Sequence, residues 1–145
     1  MKILFLMLSL MGFFQIPAQT PKGNTWTIEH NKVVRLKATS ESETKNSFVI
    51  KDADLKAEGQ LYINFHEEKP LKDWKRTFAV FDTKDNELIN YSGSSFKIGN
   101  GKLRDLRNQG IKTLKIYTWA LPTDPDLASR IRIKRMHLCT VTLEE

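Results

Sequence analysis

His137 and Cys139 stand two residues apart in an apolar-rich stretch, the spacing that places both side chains on one face of a β-strand. A thiol beside an imidazole is the raw material of a nucleophile and its base, or of a zinc site. Same-face neighbours on one strand are about 6–7 Å apart, outside hydrogen-bond reach. Zinc would also need further ligands, and the remaining histidines, His30 and His66, are far away in sequence. A lone cysteine next to Leu138 and near Val141 more often packs as a small core residue, and that is the expectation for Cys139.

Other chemical motifs are incomplete. Gly99-Asn100-Gly101-Lys102 resembles the end of a phosphate loop, but Phe96 replaces the first required glycine and Leu103 the metal-binding hydroxyl. It reads as a turn into a short helix. The acidic groups Asp52, Asp54 and Glu58, and Asp82, Asp85 and Glu87, lack the spacing of a calcium loop and suit turns between strands. There is no G-x-S-x-G and no H-E-x-x-H. The sequence therefore names no catalytic residue, no metal ligand and no cofactor.

Two surface features remain. Arg130, Arg132 and Lys134 alternate and would share one face of a final strand, with Arg135 beside them. Cations about 7 Å apart can follow the acidic groups of an extended polymer, such as an anionic polysaccharide. The plainer reading is a charged edge that keeps a strand from pairing with other chains. Tyr117 and Trp119, with Lys115, share the other candidate face. Exposed, they would form a stacking platform for sugar rings, by analogy of architecture with sandwich-type carbohydrate-binding modules. Covered, they would belong to a second small core.

The elements that must carry these residues are strands. Trp26 and Ile28, Val34 and Leu36, Phe48 and Ile50, and Leu61, Ile63 and Phe65 alternate with polar residues. Thr77–Asp82 and Glu87–Tyr91 flank a turn-forming Thr83-Lys84-Asp85-Asn86, and Phe96–Ile98 is short. Leu114, Ile116, Thr118 and Ala120 form the next strand, and the last is expected over Ile131–Leu143, with a bulge near Arg135. Helical spacing is confined to Leu103–Leu106, stopped by Gly110, and to Asp126–Ser129 behind Asp124-Pro125. Ala38–Asn46 and Asp52–Gly59 read as loops. The pattern predicts an all-β fold: an antiparallel β-sandwich or jelly roll of about eight short strands, with one or two short helices in connections.

Residues 1–18 read as a signal peptide. Lys2 precedes an apolar run from Ile3 to Phe14, and Pro17-Ala18 supplies a helix breaker and a small residue before the expected cut. The run is shorter than the ~20 residues of a membrane span, and no transmembrane segment is expected in the mature protein. Residues 19–145 then form a single sandwich domain. Of 23 Lys and Arg, Lys2 alone lies in the leader, leaving 22 cations against 17 carboxylates. One cysteine in a small exported domain argues for a bacterial periplasmic or extracellular protein, because oxidising eukaryotic routes favour several disulfides. Export also argues against nucleic acid as a partner. The expected role is non-enzymatic surface binding of an anionic polysaccharide or an envelope protein. A carbohydrate-binding platform at Tyr117 and Trp119 is the alternative within binding, and a small secreted hydrolase is the alternative of another class.

Overall fold

A computed structural model describes residues 23–145; the expected signal peptide lies outside the described residues. Nine strands form two sheets: β1 Thr25–His30, β2 Val33–Ala38, β3 Ser47–Ile50, β4 Gln60–His66, β5 Trp74–Phe81, β6 Glu87–Ser92, β7 Ser95–Gly99, β8 Thr113–Pro122 and β9 Met136–Leu143. The first sheet has the order β2-β1-β4-β7 and the second β3-β9-β8-β5-β6. The β4 to β9 segment follows the Greek-key order of immunoglobulin-like sandwiches, with β4 next to β7 and β5 next to β8. The fold is thus the all-β sandwich that the alternation predicts. One pairing differs: β3 runs parallel to β9, while the other ladders are antiparallel.

The core follows from the two-residue period. Trp26, Ile28, Leu61, Ile63 and Phe65 from one sheet meet Phe78, Val80, Leu114, Ile116 and Val141 from the other. Trp26 and Phe65 stack with ring centroids 6.0 Å apart. The indole N–H of Trp26 crosses between the sheets and donates to the carbonyl of Leu138 at 3.0 Å. That carbonyl is available because the β8–β9 register shifts there: Ile116 pairs with Cys139 and Tyr117 with His137, so Leu138 is the extra residue of a bulge. The bulge lies three residues beyond its expected place at Arg135, and it lets both Leu138 and Cys139 face the core.

Three short helices occupy connections: α1 Asp52–Lys56, α2 Asn100–Asn108 and α3 Pro125–Arg130. The first was expected as loop; its single buried apolar residue, Leu55, is too little to show a helical period. Helices α1 and α2 close one end of the sandwich, where Arg107 pairs with Asp52 and Arg104 donates to the Leu55 carbonyl. Their joint is polar. Asn100 is buried, accepts at 2.8 Å from His30 Nε2–H through Oδ1, and donates through Nδ2 to Asn31 Oδ1 and the carbonyls of Asp54 and Ala57.

The final strand is shorter than its sequence predicts. Pairing with β8 begins at Met136–Thr118, and residues 131–135 form no ladder. Beyond Thr118, β8 pairs only with β5, and an Ile133 that remains 47% exposed gains nothing from alternation.

Candidate functional site

The end opposite α1 and α2 carries the loops 67–73 and 93–94 and the connection 123–135. These are the turns that follow β4, β6 and β8. They are joined rather than splayed: Thr123 donates its backbone N–H to the Asp73 carbonyl at 2.8 Å, and Gly93 donates to the Arg76 carbonyl at 3.1 Å. Loops held by a rigid sandwich at one end are where such folds place binding residues.

Between the first two loops lies a groove of about 570 Å³, open to solvent. Phe65, Pro70, Leu71 and Trp74 supply its apolar surface, and Ser92 and Ser94 supply hydroxyls. Trp74 begins β5 on the inward-facing side, where the two sheets part, so its indole is half-buried rather than enclosed. Leu71 is 58% exposed. Arg76, two residues on, forms the groove's charged wall. Its guanidinium lies 4.3 Å from the Phe65 ring centroid, pairs with Glu67, and donates to Thr118 Oγ1 at 3.0 Å. Lys69 lines an adjoining hollow of about 120 Å³ that Trp74, Leu71 and Arg76 share. No residue pattern in the sequence announces this site as a groove. Its signal in the sequence is an indole and a leucine within an otherwise charged connection.

The basic residues singled out from sequence do not share a strand face. Arg130 ends α3, Arg132 and Lys134 lie in the irregular segment after it, and all three are exposed. No carboxylate lies within ion-pair distance of them among the described residues. Arg135 behaves differently. It bridges Asp85 at 3.0 Å and covers two rings, with its guanidinium carbon 4.7 Å from the centroids of both Phe81 and Tyr117.

Tyr117 is consequently not part of an open aromatic row. It meets the Phe81 ring edge-on at 5.6 Å and the His137 ring at 5.5 Å, beneath Arg135. Trp119, on the same face two residues on, is also half-buried. This outward face of the second sheet carries the small second cluster that was the alternative to a sugar platform.

His137 and Cys139 do not form a pair. The bulge turns Cys139 inward, fully buried, where loss of hydration pushes its thiol far above the ordinary range. His137 points outward, and its Nε2 shares a 2.9 Å hydrogen bond with Thr140 Oγ1. Its Nδ1 is buried without a partner. Burial lowers the pKa of His137, and Lys115 acts in the same direction, against the opposing pull of Glu43 and Glu41. No group of three or more His, Cys, Asp or Glu side chains is placed to hold a metal among the described residues.

No known protein family matches the chain, and comparison with curated proteins finds no relative.

Proposed function

We propose that the chain is exported to a bacterial periplasm or beyond, and that its sandwich binds an anionic polymer without catalysis, through Arg130, Arg132 and Lys134. One observation carries this reading. Of the seven arginines in the sequence, five are committed: Arg35 to the Val49 carbonyl, Arg76 to Glu67, Arg104 to the Leu55 carbonyl, Arg107 to Asp52 and Arg135 to Asp85. Arg130 and Arg132 have no such partner among the described residues, and they occur together with Lys134 on the loop-bearing end. Cations held by no ion pair remain free to exchange their counterions for a ligand's charges.

The test is retention of the mature chain on an immobilised sulfated polysaccharide over a salt series. Affinity should fall steeply with salt. Arg130→Gln with Arg132→Gln should weaken binding and flatten the salt dependence without moving the unfolding midpoint. An absence of binding at low salt, or equal binding by the double variant, overturns the reading. Export is tested separately by intact mass, with cleavage after Ala18 expected.

A further inference from the structure

We propose that the polymer is an acidic glycan, one sugar ring of which seats against Trp74 in the groove while neighbouring acidic groups reach the basic connection; this rests on the polyanion reading above. Three features of the groove support it. The first is amphipathic chemistry. A pyranose presents flat C–H faces and a rim of hydroxyls, and the groove offers an indole and Leu71 beside the hydroxyls of Ser92 and Ser94.

The second is charge. The groove and its adjoining hollow are lined by Lys69, Lys75 and Arg76 against one carboxylate, Glu67. Glu67 is held by Arg76, which leaves the two lysines without a carboxylate partner among the described residues. Exposed Glu68 and Asp73 lie on the same loop, so the positive balance belongs to the lining itself. A ligand with carboxylates or sulfates fits that balance better than a neutral one.

The third is continuity. The Thr123–Asp73 hydrogen bond joins the groove's loop to the start of the connection that carries Arg130, Arg132 and Lys134. A linear chain seated on Trp74 therefore has a route toward those cations, and the two patches act as parts of one extended site. Linked contacts of this kind raise affinity beyond either alone.

The experiment compares four polymers on the mature protein by calorimetry: heparin, polygalacturonate, polyphosphate and polyglutamate. The variants are Trp74→Ala, Trp74→Tyr and the Arg130→Gln/Arg132→Gln pair. Trp74→Ala should weaken both glycans roughly tenfold, the scale of one lost aromatic contact, and leave polyphosphate unchanged. Trp74→Tyr should restore most of the glycan affinity, which a variant damaged only in its fold would not do. The arginine pair should weaken all the polyanions. If Trp74→Ala shifts no ligand while the arginine pair still matters, the glycan assignment fails and the polyanion reading survives. If polyglutamate binds with the same Trp74 dependence, the groove serves an acidic peptide and the glycan assignment is overturned. If none of the four binds at low salt, both readings fall together.

Discussion

The guanidinium of Arg135 lies 4.7 Å from the ring centroid of Tyr117, so two residues that alternation assigns to separate surfaces cover one another. The contact also takes in Phe81 at 4.7 Å and leaves Arg135 in position to bridge Asp85 on the β5–β6 turn. It therefore fastens the end of the long β8–β9 connection onto the outer face of the second sheet. A cation over aromatic rings contributes about 0.5–1 kcal/mol when exposed and more when shielded from water.

Arg135→Gln should accordingly lower stability by about 1 kcal/mol in urea unfolding. A double-mutant cycle with Tyr117→Leu should show a coupling of about 0.5–1 kcal/mol, because each single change removes the same contact. The same Arg135→Gln variant should keep most of its polyanion affinity, in contrast to changes at Arg130 and Arg132. A coupling near zero would mean that the ring contact carries no energy.

How far this was legible in sequence depends on what kind of pattern each part leaves. Leu61, Ile63 and Phe65, or Leu114 and Ile116, announce an inward face because a strand repeats every two residues. Arg130 to Lys134 shows the same alternation and forms no strand, since alternation cannot reveal whether a neighbouring strand is free to pair. Trp74 and Arg76 read from sequence as the end of a charged connection ahead of a strand at Thr77, whereas β5 already begins at Trp74, and their groove depends on Ser92–Ser94 and Ala120, which only the Greek-key connections bring near. The meeting of Arg135 with Phe81 is of the same long-range kind, 54 residues apart in the numbering.

Leu61→Ala or Ile63→Ala should each cost about 2–5 kcal/mol, since both side chains are fully buried and leave a cavity between the sheets. Chemical denaturation checks this. A loss below about 1 kcal/mol would mean that the two sheets collapse around the gap.

At the helical end, Gly59 has no room for a side chain: a Cβ there would come 2.0 Å from Asn31 Oδ1. That oxygen accepts from Asn100 Nδ2, which also serves the carbonyls of Asp54 and Ala57. Asn100→Ala removes the central donor and strips buried His30 Nε2 and the part-buried Ala57 carbonyl of their Asn100 partner, and Gly59→Ala displaces Asn31 from the same network. Each should destabilise by about 1–3 kcal/mol. Combined, they should fall short of the sum, because both break the same hydrogen bonds.

Cys139 should react slowly with a thiol reagent in the native protein and readily after unfolding. It is fully buried, and its raised pKa keeps the reactive thiolate scarce. Fast native labelling would contradict its placement behind the Leu138 bulge.

The last expectation concerns acid. His137 has a folded-state pKa below its ordinary 6.5, first because burial disfavours the imidazolium. The unfolded chain therefore takes up a proton at a pH where the folded chain does not, and stability must rise with pH across that interval. The contribution is whole above about pH 6.5 and declines as the pH falls toward the folded value, with a slope of at most about 1.4 kcal/mol per pH unit. Asp52 and Asp82 are also lowered, Asp52 chiefly by its hydrogen bonds with Lys56 and Arg107 and Asp82 by those from Asn86, but their ordinary value is 3.8. Their effects begin in a more acidic window, and the two can be separated. Urea unfolding between pH 8 and pH 5 should show the histidine slope in the wild-type chain. His137→Phe, which keeps an aromatic ring against Tyr117 but cannot bind a proton, should flatten the curve in that range. An unchanged slope would assign the acid sensitivity to other groups and make the buried Nδ1 of His137 irrelevant to it.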